Sequence, residues 1–299
     1  MAMQIRWPHW LSRRGAGGIA LSAAALITAI LAVPGVQDTP VGVAAASVAD
    51  APVEIAKSVQ QIVDQQYLGF DTNIYPGDRA MAVWAKDGTY DWVGYYLEAP
   101  CHRDDSWSGK RDTLTEMGWG IAVVYVGQQA WKTTKRSKRG SSCATKYLTA
   151  ANGKRDAADA IAKVEQEGFA PGTIIFLDIE HMDRIPASMR AYYTAWTNAV
   201  LADGRYRPGF YAHTENAASI YRDVKPIFAK AGASAEPPFW IAGNTHVFST
   251  DKVPTDVGHA FAAVWQGILD VTRTHAGIRL PIDINIASVR SPSQTNSSP

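Results

Sequence analysis

The chain has 299 residues, with 29 Lys and Arg against 28 Asp and Glu and a formal net charge of +1. Taking away the three arginines and one aspartate of its first 46 residues leaves 26 basic and 27 acidic residues, a balance that gives no support to a general nucleic-acid binder. The remaining length of about 250 residues suits one large α/β core.

Residues 1–46 read as a leader. Arg6, Arg13 and Arg14 precede an acid-free run from Gly15 to Val33, and the first acidic residue is Asp38. A basic start, an apolar centre and the small-residue site Ala44-Ala45-Ala46 predict a secretory signal cleaved after Ala46, with Ala49 and Ala51 as alternatives. Ser12-Arg13-Arg14 points to the twin-arginine route. An uncleaved membrane anchor is the competing reading, because Gly15–Val33 nearly suffices to span a bilayer. Membrane contact is expected only through such an uncleaved leader.

Residues 47–66 form a lead-in, with a weak helical pattern over 53–63. Strands are then expected at 68–71, 92–97, 121–126, 173–179, 208–213, 239–242, 262–266 and 282–286, and helical periodicity is clearest at 157–167 and 187–201. Alternating strands and helices imply a parallel sheet, and eight strands over residues 67–288 imply a single (β/α)8 TIM-type barrel with irregular later helices. Residues 251–258 offer the only room for a helix after the sixth strand. A doubly wound open sheet is the alternative, but it needs a phosphate-binding glycine loop that the sequence lacks. The tail 289–299, rich in Ser, Pro and Asn, reads as disordered.

The most informative stretch runs from Gly172 to Glu180. Thr173 to Leu177 form an apolar run without alternation, as in strands covered on both faces. Asp178 and Glu180 follow two residues apart, so both point the same way from the strand's C-terminal end. Barrel active sites are built at that end, and paired carboxylates there can divide into an acid and an ionised partner. Other strand-end polar groups include Asp71, His213, Gln266, Asp283 and Asn285, and Tyr96, Tyr125, Tyr211, Trp240 and Trp265 lie close by. Carboxylates, amides and aromatic faces together suit a sugar.

Cys101 and Cys143 invite a disulfide in an exported protein, with two unpaired thiols as the competing reading. Between them, Lys132, Lys135, Arg136, Lys138 and Arg139 make a basic loop, read as a solvated one. No H-E-x-x-H motif or Cys/His cluster occurs, so no metal or cofactor is expected. A metal-dependent hydrolase using Asp178, Glu180, His181 and Asp183 is a minor alternative.

Seven short motifs occur in order: Gly69-Phe70-Asp71, Gly94-Tyr95-Tyr96, Phe176-Leu177-Asp178-Ile179-Glu180, Pro208-Gly209-Phe210-Tyr211, Phe239-Trp240-Ile241-Ala242, Val264-Trp265-Gln266 and Ile282-Asp283-Ile284-Asn285. Together the set resembles the family-25 glycoside hydrolases, lysozyme-type muramidases with an α/β barrel. It is similar, more closely still, to the exported actinobacterial "glycoside hydrolase-like" family. The resemblance implies that Glu180 is the proton donor and Asp178 its partner carboxylate. It further implies that Asp71 and Asp283 come from the neighbouring first and last strands, and that Tyr211 and Trp265 line a sugar groove. Two departures stand out: the long basic third loop, and Thr72-Asn73-Ile74-Tyr75 after the first motif. The expected protein is an exported glycosidase acting on a cell-wall polysaccharide, peptidoglycan above all, with Asp178 ionised and Glu180 protonated. A non-catalytic glycan-binding protein on the same barrel is the alternative.

Overall fold

A computed structural model of the protein describes residues 66–130, 142–233 and 236–294. The leader, the lead-in pattern and the basic loop from Lys132 to Arg139 lie outside these residues. Eight strands close into one barrel in chain order. They are β1 (Tyr67–Asp71), β2 (Trp92–Leu97), β3 (Gly120–Val126), β4 (Ile174–Ile179), β5 (Arg207–His213), β6 (Phe239–Ala242), β7 (Ala262–His275) and β8 (Ile278–Ala287). Helices α1 (Asp78–Asp87), α2 (Arg111–Glu116), α3 (Ala150–Gln166), α4 (Ala187–Asp203) and α5 (Thr214–Lys230) fill the connections up to β6. Between β6 and β7 the chain makes only the 3₁₀ turns Thr245–Val247 and Pro254–Val257, the second within the stretch that had room for a helix.

The fully parallel sheet expected from alternation needs one correction. β1 to β7 run parallel to their sequence neighbours, whereas β8 is antiparallel to both β7 and β1. The cause is local. Ala276 and Gly277, both at positive φ (45° and 79°), are the only residues between β7 and β8. A two-residue turn of that kind joins antiparallel strands, while a parallel pair needs a crossover of a dozen residues or more.

The barrel interior is filled by rings rather than left as a pore. Trp92, Phe176 and Trp240 are buried, with Trp92 and Trp240 edge-to-face at 5.4 Å and Phe176 against Trp240 at 5.8 Å. Gly69 is required here, because a Cβ at that position would sit 2.1 Å from the Trp92 ring. Burying each such large apolar side chain contributes roughly 1.5–3 kcal/mol.

The tail expected to be disordered is packed as far as Gln294. β3 and β4 pair only from Val123 and Ile175 onward, which leaves backbone groups open below. Ser291 and Ser293 fill that gap. The Ile121 and Val123 N–H groups donate to their hydroxyls (3.0 and 2.6 Å), and the Ile174 N–H donates to the Ser293 carbonyl (2.7 Å). Buried backbone groups need partners, and a serine-rich segment supplies them. The last five residues lie outside the described ones.

Candidate active site

β4 ends as expected, with Asp178 on its inner face and Glu180 one residue past the strand. A residue that the sequence reading passed over holds the pair in place. The side-chain amide of buried Gln129, after β3, donates to the Asp178 carbonyl (2.9 Å) and accepts from the Glu180 N–H (3.1 Å). Only its place in a Gly-Gln-Gln run directly after an apolar strand could have drawn attention to it.

The facing wall comes from β1, β2, β7 and β8. Asp71 accepts three hydrogen bonds, from the Tyr96 hydroxyl (2.7 Å), the Gln266 amide (2.9 Å) and the Asn285 amide (2.8 Å). Gly94 leaves room for this cluster, since a Cβ there would lie 2.7 Å from the Asp71 Cβ. Asp283 is the register partner of Asp71 across the antiparallel β1–β8 pair. It accepts from Gln266 Nε2 (3.3 Å) and from the backbone N–H of Asp270 (2.6 Å). Asp270 itself has a φ of 53° and lies where the β7–β8 register shifts, so a bulge aims its N–H at the acid. Gln266 is the hub of this wall, because its oxygen also accepts from the Tyr211 hydroxyl (2.7 Å).

Burial governs the charges. Asp71 is 4% exposed, and desolvation raises its carboxyl above the usual range against the pull of its three hydrogen bonds. Desolvation also pushes Asp283 up to about 8, helped by the charge of Asp71. Asp178, 8% exposed, is pushed well above the ordinary carboxylate range by burial, then by the charges of Glu180 and Asp71. Its Oδ1 is buried with no hydrogen-bond partner among the described residues. One unsupported buried oxygen beside two other acids thus works against the ionised form expected of Asp178. Burial and these same acids raise the Tyr96 and Tyr211 phenols, which stay hydroxyl donors.

The predicted aromatics divide by strand alternation. Tyr96 and Tyr211 reach the acid cluster. Tyr125 does not: it pairs with Leu177, next to Asp178 and therefore on the opposite face, and its hydroxyl donates to Asp159 of α3 (2.8 Å). Trp265, adjacent to inward-facing Gln266, also points outward, with its indole N–H on the Gly243 carbonyl (2.8 Å) and its ring against Phe248. Trp240 points inward but is buried beneath the site, where its indole N–H donates to Asn285 Oδ1 (2.9 Å). Gln266 and Asn285, 2% and 0% exposed, direct their amides to the acids. One further side chain reaches the cluster: His213 at the end of β5, whose Nε2 lies 3.4 Å from Glu180 Oε2.

Cys101 and Cys143 form a disulfide with a Cα–Cα distance of 4.8 Å. The returning chain is fastened beside it by the Gln128 side chain, which donates to the Ser142 carbonyl (2.9 Å) and accepts from the Ala144 N–H (3.2 Å). Among the described residues no group of three or more His, Cys, Asp and Glu side chains is arranged to hold a metal ion, and no helix is long and apolar enough to cross a membrane.

Solved structures share the fold at low identity. A protein of B. stearothermophilus, itself uncharacterized, is 20% identical, with 74% of this chain and 95% of that one aligned at a TM-score of 0.50. The Tat-secreted protein Rv2525c of Mycobacterium tuberculosis, in complex with L-tartrate, is 16% identical over 74% of this chain and 94% of its own, at a TM-score of 0.44. A family GH25 lysozyme from Aspergillus fumigatus is 14% identical over 77% of this chain and 100% of its own, also at 0.44. None of the curated proteins matches the chain. The family described as "Rv2525c-like, glycoside hydrolase-like domain" matches residues 82–287, a span that starts inside α1 and so leaves out β1 and Asp71. Because that span takes in well over half of its length, the chain belongs to the Rv2525c-like, glycoside hydrolase-like domain family.

Proposed function

We propose that the protein is an exported glycosidase that hydrolyses a cell-wall glycan, peptidoglycan first, with Glu180 as general acid. The observation that carries this reading is the contrast within the acid cluster. Asp71 and Asp178 are buried, and Asp71 and Asp283 are hydrogen-bonded into the barrel wall, while Glu180 stands just past β4 with its side chain 16% exposed. A proton donor must touch the glycosidic oxygen, and the partial exposure of Glu180 supports that role. Glu180 transfers its proton to the leaving oxygen as the glycosidic C–O bond breaks. Water then adds to the anomeric carbon and returns a proton to Glu180.

The remaining acids would bind and orient the sugar. The unpartnered Oδ1 of Asp178 would take a substrate N–H or O–H, such as that of a 2-acetamido group. Asp71 and Asp283, linked through Gln266, would hold this wall in register. Tyr96 and Tyr211 supply hydroxyls and ring faces to the sugar. The leader 1–46, the twin-arginine pair and the disulfide support export to the wall.

Incubating the purified protein with labelled cell wall should release new reducing ends. Glu180→Gln preserves shape but cannot donate a carboxylic proton, so turnover should fall about 10²–10⁴-fold while glycan affinity is kept. Binding without release by the wild type, whatever the wall source, would make the protein a glycan-binding barrel instead.

A further inference from the structure

His213 is the last residue of β5, on the same inward face as Tyr211. Its backbone is extended (φ −74°, ψ 151°) and serves as the N-cap of α5, yet its side chain makes no cap hydrogen bond. The imidazole instead faces the acid cluster, 24% exposed, with Nε2 3.4 Å from Glu180 Oε2. Among the described residues, no Lys or Arg is ion-paired with Asp71, Asp178, Glu180 or Asp283; His213 is the basic group that reaches them.

The choice of imidazole has chemical consequences. A Lys or Arg at this distance would hold Glu180 ionised throughout, which disables a proton donor. An apolar neighbour would leave the carboxylate unsupported once its proton had gone. An imidazole nitrogen can either accept from the Glu180 carboxyl or donate to its carboxylate, so one side chain can hold the acid before and after proton transfer. The titratable groups seen against the imidazole are Glu180, just past β4, the His181 ring at 5.6 Å and the Tyr211 ring at 6.0 Å; nearby along the chain and sheet are Asp178, the register partner of Tyr211, Glu215 in the first turn of α5, and His259, whose Nε2 lies 3.2 Å from the Thr214 carbonyl. Only Glu180 stands within ion-pairing distance of His213 among the described residues.

We propose that His213 is a positioning residue for the reaction: it orients the Glu180 carboxyl in the cleft and supports its ionised form after proton transfer. This rests on the reading of Glu180 as the acid, and the test separates the two.

In the first measurement, histidine imidazoles of the full chain are titrated by NMR, with His213 assigned by the resonance lost in His213→Asn. In Glu180→Gln the His213 midpoint should fall, because the imidazolium loses the carboxylate 3.4 Å away. An unchanged midpoint overturns the pairing, with or without turnover.

In the second, pH–rate profiles on labelled wall are compared. His213→Phe should move the alkaline limb up by about one pH unit and lower kcat about tenfold with little change in KM, since the lost donor favoured the ionised acid. His213→Gln, which restores an N–H, should recover most of kcat. A lower kcat with the alkaline limb unmoved in both variants would reduce His213 to a structural role and overturn the proposal. Wild type without reducing ends would instead overturn the acid assignment, and the NMR titration would still decide whether the pair exists.

Discussion

The two arcs of the barrel wall present their acids in different ways. From β1 to β5 the strands run parallel and are backed by helices, and their acids emerge at C-terminal ends: Asp71 from β1, Asp178 and Glu180 from β4. From β6 to β8 the helical backing gives way to 3₁₀ turns and a long hairpin. There Asp283 comes from the middle of β8, and Asn285, two residues later, pairs with Gly69 deeper in the barrel. Reversing the chain direction reverses which residue reaches the rim. The lesson is that an acid's place in a strand identifies a catalytic face only when the strand's direction is known.

The arcs are also stabilised differently, and this can be tested. The first arc carries the disulfide, whose cysteines are 42 residues apart. Chain entropy gives a loop of that size about 4 kcal/mol of stabilisation, less any strain. Replacing both cysteines with serine should therefore lower the unfolding free energy by up to that amount, read as a lower denaturant midpoint. A midpoint within error of wild type would show that Gln128 and its neighbours fasten the loop without the staple.

The acids that both arcs direct inward should show themselves through pH. The folded Asp283 binds its proton up to about pH 8, and burial raises Asp71 and Asp178 as well, whereas an unfolded aspartate releases it near about 3.9. The folded protein thus holds more protons through this window. Stability is present in full below about pH 4 and falls as the pH rises toward about 8. Thermal midpoints should decline over that range. Asp283→Asn should flatten the decline and stabilise the protein at pH 8 by at least about 1 kcal/mol, because each tenfold gain in proton affinity on folding is worth about 1.4 kcal/mol. A profile that rises with pH would contradict the buried, proton-holding cluster.

Much of this arrangement was legible in the chain. The apolar run into Asp178 announced a strand covered on both faces, and two-residue spacing placed Glu180 beside it. Alternation also carried the information that Tyr125 and Trp265 face outward, since each adjoins or pairs with a residue of known face; ring chemistry near a strand end was a poorer guide. The direction of β8 was hidden, because an alternating strand reads alike either way. Its signal lay in the turn, where alanine is an uncommon occupant of positive φ. The upward shift of the Asp178 carboxyl was hidden more deeply. It arises from the convergence of residues up to 107 positions apart in sequence order, Asp71 to Asp178, in a site that leaves one oxygen without a donor.

The smallest expected effect bears on the two faces of a single arc. Tyr96 and Tyr125 lie on adjacent strands of the parallel arc, and each hydroxyl donates to an aspartate, Asp71 inside the barrel and Asp159 of α3 outside it. Removing either hydroxyl as Tyr→Phe should cost about 1 kcal/mol of stability, the net worth of an ordinary hydrogen bond. The catalytic consequences should differ. Tyr125→Phe should leave kcat and the pH–rate profile unchanged, because Asp159 has Lys163 as another partner at 2.8 Å and stands outside the barrel. Tyr96→Phe removes a donor that holds the Asp71 carboxyl down. Asp71 should then keep its proton to higher pH, and kcat should fall as the wall that Asp71 holds in register loosens. Equal kinetic effects in the two variants would mean that the acid cluster does not feel Tyr96, and that the inner face of this arc acts on the reaction through Glu180 alone.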